Sequence, residues 1–173
     1  MHKMKLFLLI IIMPAFFSGS IAQTSTRIFV VRHADRESSD DLNPAGVIRA
    51  NELKRMLLNT GVDSIFSTDF VRTKKTVKPL ADAVSLPVIL YDSNPQLLKR
   101  ILTRSKGKTL LVAGHSNTVP QLIKLCGCHP PFDNIPDTQF DNLFLLIIQH
   151  QKKNTLLKNT CRLLYMKYGA VTN

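Results

Sequence analysis

A chain of 173 residues, 45% hydrophobic and 20% charged, has the make-up of one globular domain and is too short for two sizeable ones. Its formal net charge of +11 is scattered in loose groups around residues 74–78, 100–108 and 152–158, with no dense basic run and no interleaved aromatics, so it steers anions but reads no nucleic acid. Three cysteines are too few for a disulfide framework, and Cys126-Gly127-Cys128 followed by His129 lacks the second ligand pair that zinc requires.

The chain begins as an export signal does. Lys3 and Lys5 precede an apolar run from Leu6 to Phe17, and Ser20-Ile21-Ala22 is a small-x-small cleavage site before Gln23. About 12 apolar residues rise roughly 18 Å as a helix, short of a ~30 Å hydrocarbon core. The expectation is a signal peptide over 1–22 and one domain over 23–173, exported to the periplasm or beyond, with no stable membrane insertion after cleavage. In an oxidising compartment one bridge from Cys126 or Cys128 to Cys161 is reasonable, and three small buried thiols fit equally well.

Ile28-Phe29-Val30-Val31 is a fully buried strand that ends in Arg32-His33-Ala34-Asp35. A polar loop follows from Arg36 to Leu42. Asn43-Pro44 then predicts an N-cap with proline at the first helical position, and a helix to about Asn59. Its apolar face is read as Val47, Ala50, Leu53, Met56 and Leu57, and Thr60-Gly61 stops it. Val62 to Phe66 forms a second strand, Ser67-Thr68-Asp69 caps a second helix over about 70–84, and Pro79 inside it threatens a kink. Pro87 to Tyr91 is a third strand and Pro95 to Arg104 a third helix.

Lys108 to Ala113 is another buried strand, leading into Gly114-His115-Ser116-Asn117-Thr118. Thr118 and Gln121 have capping-box spacing for a helix to about Cys126. Beyond a proline-rich loop over 129–136, the runs 142–149 and 160–168 predict an antiparallel hairpin. This alternation predicts a three-layer α/β/α sandwich with a mainly parallel central sheet and a C-terminal antiparallel hairpin.

Ligands gather beyond the carboxyl ends of such strands. If the strands are neighbours, Arg32, His33, Arg72 and His115 meet there: two guanidiniums to fork onto phosphoryl oxygens and an imidazole to attack phosphorus. Helix N-termini near Ser67 and Thr118 would aim N–H groups at the same anion.

In order along the chain, Val31-Arg32-His33-Ala34, Leu42-Asn43-Pro44-Ala45-Gly46, Ser67 to Thr73 with Thr76, and Gly114 to Thr118 resemble the histidine phosphatase superfamily, also called phosphoglycerate-mutase-like. The resemblance implies that His33 is the nucleophile that becomes phosphohistidine. Arg32, Arg72 and His115 would bind the phosphoryl group, with His115 charged and Ser116 beside it. A carboxylate would protonate the leaving oxygen, Asp35 first and Asp92 second, although some small relatives lack a dedicated acid. The expected activity is a metal- and cofactor-independent phosphomonoester hydrolase that takes a small phosphorylated substrate and releases inorganic phosphate. Mutases of this fold resemble longer chains with closing insertions, which the short loops here do not provide. A phosphohistidine or phosphoprotein phosphatase and a non-catalytic phosphate-binding domain are the alternatives. His129 and His150 are read as loop or surface residues.

Overall fold

The structure is a computed structural model that describes residues 24–38, 40–92, 94–153 and 156–172; the expected signal peptide lies outside them. In chain order it runs β1 (Ser25–Arg32), α1 (Pro44–Leu57), β2 (Ser64–Ser67), α2 (Val71–Ala83), β3 (Val88–Leu90), α3 (Pro95–Arg104), β4 (Thr109–Gly114), α4 (Thr118–Leu125), β5 (Asn142–Lys153) and β6 (Leu156–Lys167). The strands form one sheet in the order β3-β2-β4-β1-β5-β6. The first four run parallel; β5 is antiparallel to β1, and β6 to β5.

Strand alternation divides the core between the two faces of this sheet. Ile28, Val30, Leu110, Val112, Phe144 and Leu146 pack with Val119, Leu122 and Ile123 of α4. Phe29, Val31, Leu111 and Ala113 pack on the other face with Leu53 and Leu57 of α1 and Val77 and Leu80 of α2. The expected three layers are present. Because β1 and β4 are covered on both sides, their sequences are apolar without alternation. Among the described residues, no helix is long and apolar enough to cross a membrane.

Local signals at the helix ends fare unevenly. Asn43 caps α1 as expected, its side chain accepting from Gly46 N–H at 2.8 Å. Of the face read for α1, Ala50, Leu53 and Leu57 are buried and Met56 packs partly buried beside them, but Gly46 and Arg49 also face inward and Val47 is 51% exposed. The helix is rolled so that Gly46 lies against the Asp35 backbone and Arg49 reaches the Asp35 carboxylate. Pro79 sits within α2 without ending it. Ser67, Thr68 and Asp69 do not cap this helix. Its N-cap is Phe70, and the Val71 N–H is met from a distant loop by Asp40 Oδ2 at 2.8 Å. Nor does Thr118 act in a capping box: it is the first residue of α4, and its hydroxyl turns back to accept from His115 N–H at 2.8 Å.

Of the two bridges considered, Cys128 pairs with Cys161, across 33 residues of sequence, while Cys126 keeps a free thiol that burial pushes up to about 12. Closing a loop of that length stabilises the fold by about 3–4 kcal/mol in the chain-entropy account.

Candidate active site

The register of three parallel strands assembles the site. Arg32 lies opposite Gly114, and Ser67 opposite Ala113. The next residues out, His33, His115 and Thr68, therefore emerge side by side at the carboxyl edge. His33 N–H donates to Gly114 O at 2.9 Å, which prolongs the β1–β4 ladder by one bond. The two imidazoles lie with ring centroids 5.5 Å apart and planes inclined at 62°.

His33 is buried, and its Nδ1 lies 2.8 Å from the Ala34 carbonyl oxygen. A carbonyl only accepts, so Nδ1 carries the proton and Nε2 keeps its lone pair. Burial first, then Arg32, Arg72 and His115, lower the His33 pKa to about 3, so the ring is neutral at pH 7. The segment is fixed from α2 as well: Ala34 N–H donates to Thr76 Oγ1 at 2.8 Å, and that hydroxyl donates to Arg72 O at 2.8 Å.

Arg32, at the end of β1, is 5% exposed. Its NH1 is ringed by the carbonyls of Pro136, Asp137 and Gln139 at 2.9, 3.1 and 3.1 Å, and its guanidinium lies 4.3 Å over the Phe140 ring. Burial, with Arg36 and Arg72 nearby, presses its pKa below the ordinary value, against the opposing pull of Asp137. Arg72, in the first turn of α2, stacks 4.4 Å over Phe70 and bonds Asp40 through NH1. The Nε of each arginine is buried and has no hydrogen-bond partner. Two orphaned guanidinium donors beside an imidazole pair ask for an acceptor with several oxygens.

His115 is held from two sides. Its Nε2 is 2.9 Å from Thr68 Oγ1, and Phe70 meets its ring edge-on at 4.9 Å. Burial first, then Arg72 and Arg32, lower its pKa to about 4, with Asp40 opposing. The expected charge on His115 is thus not supplied by the surrounding side chains; it would have to come from the phosphoryl group's own negative charge.

The two lowered imidazoles carry a sign for stability. In the unfolded chain both take up a proton near pH 6.5, and in the folded pocket only near 3 and 4. Their contribution is intact above pH 6.5 and is lost as pH falls towards those values. The thermal midpoint is expected to drop between pH 6.5 and 4, and the double replacement His33→Gln/His115→Gln to flatten that slope. An unchanged slope would mean the rings titrate normally in the fold.

The structure separates the two candidate acids. Asp35 is drawn into an ion pair with the buried Arg49, Nε to Oδ2 at 2.6 Å and NH2 to Oδ1 at 3.4 Å. Arg49 NH1 also donates to the carbonyls of Tyr168 and Ala170, at 2.9 and 2.8 Å. Asp35 therefore ties the segment after His33 to the C-terminus, contrary to its expected place at a leaving group. Asp92 instead lines a cleft of about 400 Å³ with His115, Thr68, Phe70 and Tyr91. Ser116 is held through its carbonyl, which accepts from Ile135 N–H at 3.0 Å. His150, expected at the surface, is half-buried, its Nε2 2.8 Å from Thr26 Oγ1.

Sequence reasoning missed Asp40, the carbonyl ring around Arg32, and the brace that Thr68, Phe70 and Phe140 form. Thr68 could have been found, since it directly follows a strand that ends at the site. A larger groove, about 680 Å³ between α2 and β3, is lined by Lys74, Lys75 and Lys78 but by none of the four central residues. Among the described residues no three His, Cys, Asp or Glu side chains gather as metal ligands.

Comparison with known proteins agrees with this geometry. Residues 26–93 match the model of the histidine phosphatase superfamily (branch 1). No curated protein matches the chain. Among solved structures, the mycobacterial glucosyl-3-phosphoglycerate phosphatase aligns with a TM-score of 0.57 at 13% identity, covering 72% of this chain and 91% of that one. Two with provisional names also align. The phosphohistidine phosphatase SixA from Agrobacterium tumefaciens has a TM-score of 0.53 at 18% identity, covering 84% of this chain and 98% of that one. The alpha-ribazole-5'-P phosphatase from Escherichia coli K-12 has a TM-score of 0.60 at 15% identity, covering 84% and 100%. At such identities these neighbours show the fold alone, whereas the segment that matches the histidine phosphatase superfamily model, residues 26–93, is the one that carries Arg32, His33 and Arg72.

Proposed function

We propose that the protein is a phosphomonoester hydrolase working through phosphohistidine on His33. The observation that carries this is the pair of imidazoles 5.5 Å apart, flanked by two arginines whose buried Nε groups have no partner. In the first step the His33 Nε2 lone pair forms a bond to phosphorus as the ester P–O bond breaks. Arg32, Arg72 and His115 take up the charge on the equatorial oxygens. The leaving oxygen takes a proton from Asp92, whose place on the cleft suits that role better than the Arg49-bound Asp35. Water then attacks phosphorus, giving a proton to the Asp92 carboxylate, the N–P bond breaks with its electron pair returning to His33 Nε2, and orthophosphate leaves. No step calls for a metal or cofactor.

Rapid quenching with a radiolabelled chromogenic phosphomonoester tests this reading. Acid-labile, alkali-stable label on the peptide containing His33 is expected, formed at least as fast as turnover. Phosphate bound without turnover would mark a binding domain instead, and turnover without label on His33 would reject the covalent route. A screen over sugar phosphates, nucleotides and phosphohistidine peptides would then name the substrate class. We propose as well that the chain is exported, a reading supported by the Cys128–Cys161 bridge, a bond that persists in oxidising compartments.

A further inference from the structure

We propose that Asp40 is a built-in competitor for the phosphoryl site, setting how tightly both substrate and product are held. The inference rests on the phosphatase reading above. The Asp40 carboxylate bonds the donors an incoming phosphoryl oxygen needs: Oδ1 accepts from Arg72 NH1, and Oδ2 from Val71 N–H, the first amide of α2, at 2.8 Å. A guanidinium beside a helix N-terminus is an anion site by its chemistry, and here an internal anion holds it.

The placement is built into the loop. An antiparallel bridge between Arg36 and Leu42 closes it, and Glu37 N–H donates to Asp41 O at 3.2 Å. Asp41, the next residue, bonds Lys75 of α2 at 2.6 Å, so the loop is pinned to the same helix that carries Arg72. The Asp40 side chain itself is 41% exposed, which lets it swing into water when a ligand takes its donors. Arg72 Nε is left unpartnered, so Asp40 engages one nitrogen of the guanidinium and leaves another for the ligand. The other arginine is treated more lightly: Asp137, 89% exposed, stands 3.5 Å from Arg32 NH2.

A competitor weakens every ligand that needs the same donors by one common factor. Substrate and orthophosphate are both affected, and the product is expelled when the carboxylate recaptures Arg72. Asparagine separates this role from capping, since its side-chain oxygen still accepts from Val71 N–H while the charge is gone. Asp40→Asn is expected to lower the orthophosphate Kd, by calorimetry, and the KM for a chromogenic monoester together, each about tenfold, without raising kcat.

If Asp40 only holds Arg72 in position, both constants rise. If it is the general acid, kcat falls with a changed pH profile while the orthophosphate Kd stays put. Either result overturns the proposal and leaves the phosphatase reading intact. Absence of orthophosphate binding in both proteins would remove that reading and this inference with it.

Discussion

Replacing His33 by glutamine is expected to lower kcat/KM for a phosphomonoester by roughly a thousandfold or more, the usual scale for losing a covalent nucleophile. Glutamine keeps a polar group near Nε2 but has no basic lone pair to attack phosphorus. The fold should hold at neutral pH, because the β1–β4 ladder uses the backbone of residue 33 and the Thr76 brace uses Ala34. Orthophosphate should still bind, since Arg32, Arg72 and His115 are untouched. Turnover, calorimetry and the thermal midpoint, measured on one preparation, check all three. A fall of only a few-fold would assign the covalent step to another residue.

The second large effect concerns a residue with no chemistry. A Cβ added at Gly46 would stand 2.0 Å from the Asp35 carbonyl oxygen, with Asp35 C and N close behind. Backbone cannot rotate aside as a side chain can, so α1 and the segment after His33 must part. Gly46→Ala is expected to cost about 3 kcal/mol or more, the upper end for overpacking, and to lower activity by shifting His33. Gly61→Ala is the control. It has open space around it but φ +70°, and should cost only about 1–2 kcal/mol of left-handed strain. Urea titration of both variants separates collision from strain. Equal small costs would mean that the two segments are loosely packed.

Periodicity and strand chemistry revealed the architecture because the relevant forces are local or repeat along the chain. The apolar runs before Arg32 and before Gly114 could only be strands covered on both faces, and residues just past such strands are where ligands meet. That reasoning reached Arg32, His33 and His115; Arg72 followed from the helix after β2.

What stayed hidden depends on partners far away in sequence. Val47 looked like core by spacing, but the roll of α1 is decided by Gly46 against Asp35 and by Arg49 reaching the Asp35 carboxylate. Ser67-Thr68-Asp69 looked like a cap for α2, but the carboxylate that meets its first amide is that of Asp40, about thirty residues upstream. Asp35 looked catalytic because it lies two residues past His33, and nothing local announces Arg49 as its partner. The collar of carbonyls around Arg32 comes from a loop over a hundred residues later, where no side-chain identity marks it.

The central position of β1 bears on how the molecule comes to exist. Its partners are β4, with Arg27 facing Thr109, and β5, with Ser25 facing Gln149. The strand that leads into His33 thus has nothing to pair with until β4, far along the chain, has been made. Such distant pairings are slow to form and cannot proceed stepwise during synthesis. The carboxyl edge of β1 is therefore completed only after β4 has paired alongside it.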